Sequence, residues 1–289
     1  MTDSKPLEPL VSVIMTAFNR ELYIAEAIES VLNSEYKNFE LLIFDDSSSD
    51  ATVDIVKKYL GDSRLQLHIN PVNLGDYPNR NFAASHARGK YMMFCDSDDQ
   101  IFDDTLGYCI TAMENSGNAK LAMYYAGVAD KPFILSSLEA IRKHFFETPV
   151  LTMGPGGTII DRTFFNSIGG YPEKYGPAND MYFNLKASSE TSILFLPKLF
   201  LHYRQHDGQQ KNNLYAYKHY NYRYQADALQ EIDMGLNEKE ISYLKKKNDR
   251  RFVTNLFNEL IKRKSIYPVK DLWTKAGFNI QHLVSGILH

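Results

Sequence analysis

Short apolar runs alternate with amphipathic segments along the first hundred residues. Buried strands are predicted at four apolar runs, which are Leu10–Met15, Phe39–Phe44, Leu65–Ile69 and Tyr91–Cys95. Apolar residues at helical spacing predict helices over Glu21–Asn33, after Asp50, and over Asn79–Arg88. This alternating order predicts an α/β fold with a mainly parallel, doubly wound sheet. Ligands bind at the carboxyl ends of the strands in such sheets, so the residues that follow each strand are the first candidates for chemistry.

The pattern becomes less regular beyond Asp104. Helices are predicted over Thr105–Asn115 and Ser136–Phe146, and strands at Leu121–Val128 and within Ser192–Tyr203. A glycine-rich loop leads into a short apolar segment at Thr158–Ile160. From about Asp207 onward the sequence is helical and polar, without internal repeats.

Composition narrows the class of protein. The chain has 289 residues, of which 44% are hydrophobic and 23% are charged, as in ordinary globular proteins. A net charge of −3 argues against a nucleic-acid binder, which usually carries a basic excess. Cys95 and Cys109 are too few for a disulfide scaffold or a zinc site, which favours a reducing, cytoplasmic setting. The polar N-terminus predicts no signal peptide, and no apolar run is long enough for a transmembrane helix.

Polar residues follow three of the four predicted strands. Thr16–Arg20 follows the first strand, Asp45–Asp50 the second and Asp96–Asp99 the fourth. The three carboxylates of the last segment repel one another, and Mn²⁺ or Mg²⁺ would compensate them, because hard cations prefer carboxylate oxygen. A solvated acidic turn that caps the next helix is the alternative interpretation at this point.

No glycine-rich phosphate loop follows the first strand. The Walker pattern and the G-x-G-x-x-G pattern are both missing there, and the turn after this strand has no glycine at all. A dinucleotide-dependent dehydrogenase is therefore disfavoured. Acidic strand ends without a phosphate loop indicate instead a nucleotide diphosphate whose charge is neutralised by a bound metal.

Several motifs occur in a fixed order between Pro9 and His206. They are Val11–Arg20 (VSVIMTAFNR), Phe39–Thr52 (FELLIFDDSSSDAT), Asn73–Gly75 (NLG), Arg80–Asn81 (RN), Ala87–Tyr91 (ARGKY), Asp96–Asp99 (DSDD), Gly154–Gly157 (GPGG) and Ile168–Pro172 (IGGYP). In this order they resemble the motifs of glycosyltransferase family 2, whose members are inverting enzymes with the GT-A fold. The DSDD segment is similar to the DxD motif of that family.

The resemblance implies a domain organisation. A GT-A domain would span residues 1–206, with a nucleotide-sugar-binding half at 9–104 and an acceptor-binding half at 105–206. A helical C-terminal extension would span 207–289.

The resemblance also implies roles for individual residues. The donor would contact Thr16, Ala17, Phe18, Asn19, Arg20, Asp45, Asp46, Arg80, Asp96 and Ser97. Mn²⁺ or Mg²⁺ would be held by Asp96, Asp98, Asp99 and His206, and the acceptor by Gly156, Gly157, Asn179 and Tyr203. Asp180 matches the catalytic base, although Asn179 stands where the family normally has Glu.

Each of these roles has a simpler alternative. Asp180 could cap the helix that follows it, and His206 could be an ordinary loop histidine. Asp45 could merely support its neighbour through hydrogen bonds. Gly156 and Gly157 could serve only to allow a tight turn.

The function implied is the inverting, metal-dependent transfer of a sugar from a nucleotide-diphospho-sugar, with UDP favoured, to a hydroxyl of a glycan or lipid-linked acceptor. The family resemblance favours bacterial surface-polysaccharide synthesis as the setting. One alternative is a non-catalytic module that binds nucleotide sugars, which the missing Glu before Asp180 would support. Another is a sugar-nucleotide pyrophosphorylase, which would need a glycine-rich loop where Thr16–Arg20 lies.

Charge and aromatic residues are spread unevenly. Residues 201–289 contain 15 Lys/Arg and 9 Asp/Glu, so the C-terminal part is basic and the remainder acidic. Basic residues at Lys262–Lys264 beside apolar helical positions predict either helices that pack on the catalytic domain or a peripheral contact with the inner face of the cell membrane. Aromatic residues near Asp180 suggest flat faces for a sugar ring, and they are Tyr171, Tyr175, Tyr182 and Phe183.

Overall fold

The computed structural model describes residues 8–126, 130–205 and 214–288, which contain ten strands and eleven α-helices. The strands are β1 (Val11–Ala17), β2 (Phe39–Asp45), β3 (Leu65–Ile69), β4 (Tyr91–Phe94), β5 (Gln100–Ile101), β6 (Leu121–Tyr124), β7 (Phe133–Leu135), β8 (Thr158–Asp161), β9 (Ile193–Leu196) and β10 (Leu201–His202). The α-helices are α1 (Ile24–Leu32), α2 (Thr52–Lys57), α3 (Asp76–Ser85), α4 (Thr105–Asn115), α5 (Ser137–Arg142), α6 (Arg162–Ser167), α7 (Asn179–Glu190), α8 (Leu214–Glu231), α9 (Glu238–Arg263), α10 (Tyr267–Ala276) and α11 (Ile280–Leu288). A π-helical turn at Lys143–Glu147 continues α5, and 3₁₀ turns lie at Pro155–Gly157 and Gly176–Ala178.

Eight of these strands form one sheet in the order β3-β2-β1-β4-β8-β6-β9-β7. The pairs β1–β2, β1–β4, β2–β3 and β6–β9 are parallel, whereas β8 and β7 run against their neighbours. The prediction of a mainly parallel sheet is therefore confirmed. The parallel register places Ala17 beside Asp45, so the polar segments after β1 and β2 leave the sheet at the same edge.

Helix α3 begins earlier than the sequence pattern predicts. The prediction was Asn79–Arg88, and the helix lies at Asp76–Ser85. Gly75 precedes it with a φ of 90°, a left-handed conformation that glycine adopts at little cost. Asp76 then forms an ion pair with Arg80 one turn later, at 2.7 Å, which stabilises the first turn.

Strand β6 is shorter than predicted. The apolar run Leu121–Val128 predicted one strand, but β6 ends at Tyr124, which pairs with Leu196 of β9. Pro197 follows Leu196 and cannot donate a backbone hydrogen bond, so the pairing ends there. The last residues of the predicted strand lie outside the described residues.

The chain divides into two compact units, each built from several segments. The first contains residues 1–136, 153–171 and 191–205, and the second contains 137–152, 172–190 and 206–289. The domain boundary proposed at residue 206 remains a prediction. Residues 137–152 and 172–190 precede it in the sequence but belong to the same compact unit as the C-terminal helices. The predicted helical character of the C-terminal region is confirmed by α8, α9, α10 and α11.

Each unit has its own hydrophobic core. In the first unit β1, β2, β4 and β9 are buried on both faces, and Val13, Met15 and Ile43 belong to one buried cluster with Ile28 of α1. In the second unit α8, α9 and α10 contribute most of a smaller cluster, formed by Tyr222, Phe252, Val253, Leu256, Leu272, Ala276 and Phe278. The site residues at the carboxyl ends of β1, β2 and β4 therefore rest on a packed core.

Gly89 lies where the chain enters β4 and passes very close to β1. A Cβ atom at this position would lie 2.5 Å from the backbone nitrogen of Ser12 and 2.8 Å from the carbonyl oxygen of Leu10. Gly89→Ala should therefore lower the free energy of unfolding by about 2 kcal/mol or more, because backbone atoms in a sheet have little room to move. Urea denaturation followed by circular dichroism measures this change.

Gly107→Ala is the matched control. Gly107 lies inside α4, and nothing is within 4 Å of a Cβ atom placed there. Alanine should raise stability at this position by about 0.5–1 kcal/mol through its higher helix propensity. Equal stabilities of the two alanine variants would contradict the close approach at Gly89.

Candidate active site

Most of the predicted donor and metal residues belong to the first compact unit. They lie at the carboxyl ends of β1, β2 and β4 and on α3, and are Thr16, Ala17, Phe18, Asn19, Arg20, Asp45, Asp46, Arg80, Asp96, Ser97, Asp98 and Asp99. This edge of the sheet is where an α/β fold binds ligands.

The loops that follow β1 and β2 are joined through Asn19. Its backbone N–H donates to Ser48 Oγ at 2.9 Å, and its side-chain Oδ1 accepts the backbone N–H of Ser49 at 2.9 Å. Asn19 and Ser47 both have left-handed backbone conformations, with φ of 52° and 66°. Such conformations are uncommon for residues other than glycine, and they turn both loops sharply at the strand ends. Phe18 projects from this pair of loops with 45% of its surface exposed.

Asp46 is buried and fastens a third segment to the same edge. Its backbone N–H donates to Ala17 O at 2.7 Å, which ties it to β1. Its two carboxylate oxygens accept the backbone N–H groups of Leu74 and Gly75 at 2.8 and 2.9 Å. The carboxylate therefore holds the turn that precedes α3, in addition to any contact with a ligand.

Two buried asparagines, which the sequence motifs do not indicate, support Asp46. Asn70 Nδ2 donates both to Asp46 Oδ1 and to Asn79 Oδ1, each at 2.9 Å. Asn79 Nδ2 donates in turn to the carbonyl oxygen of Phe44 at 3.1 Å. The available signal was their polarity at positions where the neighbouring pattern is apolar, since a buried amide needs partners.

Asp45 is fully buried and has a supporting role. Its Oδ1 accepts the backbone N–H of Ser48 at 2.9 Å, which closes the turn after β2. Its Oδ2 is buried without a hydrogen-bond partner among the described residues. These contacts match the simpler alternative for Asp45, whereas its predicted contact with the donor stays a prediction.

Arg80 is buried between two carboxylates. Its Nε donates to Asp76 Oδ1 at 2.7 Å, and its Nη2 lies 2.6 Å from Asp96 Oδ1. The rings of Tyr77 and Phe94 each lie 5.8 Å from the guanidinium carbon. Burial opposes the charge of Arg80, but the carboxylates of Asp76 and Asp96 overcome it and hold the pKa of Arg80 well above its usual range.

The three carboxylates of the DSDD segment converge. One oxygen from each of Asp96, Asp98 and Asp99 lies within 4.8 Å of the other two. Burial and the charge of Asp96 raise the pKa of Asp99 to about 7, although the backbone N–H of Arg204 donates to Asp99 Oδ1 at 3.0 Å. Burial also raises the pKa of Asp96, with Arg80 opposing the shift. The cluster thus carries more negative charge than its surroundings neutralise.

Such a cluster fits a hard divalent cation. All of the donor atoms are carboxylate oxygens, the ligands that Mg²⁺ and Mn²⁺ prefer. Burial raises the pKa of Asp99 most and the charges of Asp96 and Asp98 add to it, and a cation would offset the contribution of these charges. Asp98 also forms an ion pair with Arg20, whose Nε donates to Asp98 Oδ2 at 3.1 Å. The predicted fourth ligand, His206, lies outside the described residues.

The predicted acceptor residues of the first unit have different environments. Tyr203 is 48% exposed. Gly156 is buried, and a Cβ atom there would lie 2.8 Å from Leu201 Cδ2. A Cβ atom on Gly157 would collide with the sulfur of Met153. Packing and the 3₁₀ turn therefore account for both glycines, and their contact with an acceptor stays a prediction.

Asn179 and Asp180 belong to the second unit, at the start of α7. Asn179 is 2% exposed, and its amide accepts the backbone N–H of Tyr175 at 2.9 Å and donates to Gly176 O at 2.7 Å. Its observed contacts are those of a residue that stabilises its own turn. Asp180 is half-buried, and its Oδ1 accepts the backbone N–H of Met181 at 2.7 Å. Because α7 begins at Asn179, Asp180 lies inside the first helical turn and is not the N-cap residue.

The aromatic residues near Asp180 in sequence do not form open faces for a sugar. Tyr171, Tyr175, Tyr182 and Phe183 are all buried. The rings of Tyr175 and Tyr182 stack at 4.9 Å, and their hydroxyls donate to Asp227 at 2.8 Å and to Glu231 at 2.7 Å. The predicted sugar platform was wrong at these positions, because they pack in the interior of their units.

Replacing Asp46 should loosen the turn before α3. In Asp46→Asn one carboxylate oxygen becomes an NH₂ group that faces backbone or amide N–H donors. We expect a loss of about 1–3 kcal/mol in the free energy of unfolding, because a buried donor is left unsatisfied. Hydrogen exchange should accelerate most at the amides of Leu74 and Gly75. Asp54→Asn is the control, since Asp54 is 78% exposed and pairs only with Lys57 at the surface among the described residues. Unchanged exchange at Leu74 and Gly75 in Asp46→Asn would contradict the role of Asp46.

Known proteins with similar sequences are glycosyltransferases by name. WfgD of Escherichia coli, a UDP-Glc:alpha-D-GlcNAc-diphosphoundecaprenol beta-1,3-glucosyltransferase, is 33% identical over 159 residues, which are 54% of this chain and 62% of WfgD. An uncharacterized glycosyltransferase of Haemophilus influenzae is 40% identical over 99 residues, which are 34% of this chain and 40% of that protein. The similarity spans less than two thirds of either relative.

Two solved structures share the fold. S. aureus TarS 1-349 in complex with UDP-GlcNAc has a TM-score of 0.71 at 22% identity, over 92% of this chain and 79% of the TarS chain. The mannosyltransferase PcManGT from Pyrobaculum calidifontis, in complex with GDP-Man and Mn²⁺, has a TM-score of 0.65 at 15% identity, over 98% of this chain and 87% of that chain. These likenesses confirm the predicted fold class.

A family model described as Glycosyl transferase family 2 matches residues 12–169. The matched region contains β1 from its second residue, the acidic turn after β2, Arg80 and the whole DSDD segment. It covers more than half of the 289 residues. The chain therefore belongs to glycosyl transferase family 2.

Proposed function

We propose that this protein is an inverting, metal-dependent glycosyltransferase that moves a sugar from a nucleotide-diphospho-sugar to a hydroxyl of a glycan or lipid-linked acceptor. The convergence of Asp96, Asp98 and Asp99 at the ligand-binding edge of the sheet carries this proposal. Family membership supports it, because the same region matches the family model.

In this proposal, Asp96, Asp98 and Asp99 hold Mn²⁺ or Mg²⁺. When bound, the cation acts as a Lewis acid that stabilises negative charge on the leaving diphosphate. The all-oxygen donor set favours these two ions over softer metals. A structural neighbour that contains Mn²⁺ beside GDP-Man adds support.

The donor lies against the loops after β1 and β2 in this proposal. Arg80 Nη1 is buried and has no hydrogen-bond partner among the described residues, so a phosphate or ribose oxygen would satisfy it. UDP is the favoured nucleotide. The TarS complex with UDP-GlcNAc and the UDP-Glc named for WfgD support this choice, whereas GDP-Man in PcManGT keeps GDP as an alternative.

In this proposal Asp180 is the base that accepts the proton of the acceptor hydroxyl. The acceptor oxygen attacks the anomeric carbon as the bond from that carbon to the diphosphate breaks, and the acceptor proton passes to the Asp180 carboxylate. Attack from the face opposite the leaving group inverts the anomeric centre and needs no covalent enzyme nucleophile. A positioned carboxylate base typically contributes about 10²- to 10⁴-fold.

The non-catalytic alternative has less support than the enzyme. It rested on Asn179 in place of a Glu, as evidence that a catalytic carboxylate had been discarded. The amide of Asn179 makes one accepted and one donated hydrogen bond with the backbone of its own turn, which supports a structural reason for this residue. The acceptor class rests on WfgD, whose name specifies a diphosphoundecaprenol-linked sugar. A role in bacterial surface polysaccharide synthesis, at the inner face of the cell membrane, is part of the same proposal.

A peripheral membrane contact through the C-terminal helices belongs to this proposal. Among the described residues, no helix has both the length and the apolar composition needed to cross a membrane. Exposed apolar side chains do occur at helical spacing: Phe257 and Ile261 on α9, and Ile280, Val284 and Ile287 on α11. Basic residues at Lys262–Lys264 end α9, and such a combination favours binding to anionic lipid.

Two substitutions separate donor binding from catalysis. Asp98→Asn should weaken Mn²⁺-dependent binding of UDP-sugar, because it removes a metal ligand. Asp180→Asn should leave that binding unchanged and lower turnover by about 10²- to 10⁴-fold, because it removes the base. Calorimetric titration with UDP, GDP and dTDP sugars measures binding, and release of the nucleoside diphosphate measures turnover. Full turnover by Asp180→Asn would exclude its role as base. Binding without turnover by the wild type, across the same donors and lipid-linked acceptors, would favour the non-catalytic module.

The membrane contact is tested with vesicles. Ile261 is 72% exposed and Ile287 is 59% exposed, so the double substitution Ile261→Gln and Ile287→Gln should not disturb the fold. We expect it to lower the fraction of protein that floats with phosphatidylglycerol vesicles several-fold, because less apolar surface enters the interface. Leu60→Gln, at an exposed position of the first unit, is the control and should float like the wild type. Equal flotation of all variants, or no preference for anionic over neutral vesicles, would contradict the contact.

A further inference from the structure

Arg20 connects the loop after β1 with the acidic cluster after β4. Its Nε donates to Asp98 Oδ2 at 3.1 Å, and its Nη1 donates to the carbonyl oxygens of Phe18 and Asn19, each at 3.0 Å. Its backbone N–H donates to Thr52 Oγ1 at 2.7 Å, so the residue is also fixed at its main chain. Among the described residues, Nη2 makes no hydrogen bond or ion pair.

The guanidinium of Arg20 contacts a proposed metal ligand, and its loop is one of the two against which we propose that the donor lies. Asp98 is a proposed metal ligand, and Arg20 already neutralises part of its charge. The side chains of Arg20 and Asp98 are 27% and 13% exposed, so the ion pair is partly shielded from water. A divalent cation on Asp98 and a guanidinium at 3.1 Å from the same carboxylate repel each other.

The guanidinium of Arg80 is held by more contacts than that of Arg20. It is held from two sides, by Asp76 and Asp96, and is packed against two aromatic rings. Its position is therefore fixed by several contacts. Arg20 makes one ion pair and two contacts with carbonyl oxygens, so its guanidinium can leave Asp98 at a lower cost.

We propose that Arg20 competes with the divalent cation for Asp98, and that cation binding transfers its guanidinium from Asp98 to the diphosphate of the donor. This exchange rests on the proposed metal and donor sites. It makes the cation and the nucleotide bind cooperatively, because the cation releases the group that the nucleotide needs. Arg20 thereby acts as a donor-binding residue whose availability depends on the metal.

Three proteins test the exchange: the wild type, Arg20→Gln and Arg20→Lys. Calorimetric titration with MnCl₂ alone should give about threefold tighter binding for Arg20→Gln, because the competing charge is gone. Arg20→Lys keeps the charge and should stay near the wild type. With saturating Mn²⁺, Arg20→Gln should bind the nucleoside diphosphate at least about tenfold more weakly, because a charge-assisted hydrogen bond is lost. The probe is whichever of UDP, GDP and dTDP binds the wild type most tightly.

Arg64→Gln is the matched control, since Arg64 pairs with Asp62 elsewhere in the first unit and should change neither affinity. Weaker or unchanged Mn²⁺ binding by Arg20→Gln, with normal binding by the wild type, would overturn the exchange and leave the metal site standing. Unchanged nucleotide binding by Arg20→Gln would also overturn it. A wild type that does not bind Mn²⁺ would overturn the metal site and the exchange together.

Discussion

The arrangement of the ligand-binding edge depends on compensating negative charge. Asp45, Asp46, Asp96, Asp98 and Asp99 all lie at the ends of β2 and β4, which brings the five carboxylates to one edge of the sheet. Their partners come from distant parts of the chain: backbone N–H groups before α3, the buried guanidinium of Arg80, the loop arginine Arg20, and the backbone of Arg204. Each partner brings its own segment to the edge. The groups that neutralise the carboxylates therefore also determine the shape of the site. A divalent cation would neutralise the charge that remains on Asp96, Asp98 and Asp99.

Local sequence patterns were sufficient for β1 to β4 and for the acidic cluster, but not for β7, which no predicted strand matched. The bounds of β3 were predicted without error, and β1, β2 and β4 differed only at their ends, because these three buried strands are nearly continuous apolar runs. The start of α3 was missed, because it depends on the left-handed conformation of Gly75 and on hydrogen bonds to Asp46, some thirty residues away. Asn70 and Asn79 were missed for the same reason. Asn70 and Asn79 matter because they form hydrogen bonds with each other and, through Asn70, with Asp46. The periodicity of apolar residues does not reveal contacts between residues that are distant in the sequence.

The second unit shows why composition is a weak guide to binding. Tyr175 and Tyr182 suggested sugar platforms, yet both rings are buried and their hydroxyls donate to Asp227 and Glu231. Tyr222, also buried, donates its hydroxyl to Asp249. A buried phenol needs an acceptor for its hydroxyl, and a carboxylate provides a strong one. Acidic residues of this unit also pair with lysines, as Asp227 does with Lys174 at 3.2 Å and Glu259 with Lys218 at 2.5 Å.

The link through Asn19 restricts which residues this position can accept. Glycine would adopt the left-handed backbone easily but would lose the oxygen that receives the N–H of Ser49. Aspartate would keep an acceptor but would add another negative charge next to an edge that already carries five carboxylates. Larger or β-branched residues would strain the turn and offer no acceptor in reach. Asparagine meets both conditions. Backbone geometry and charge therefore both favour asparagine at position 19 of the AFNR segment, whether or not the donor contacts this residue.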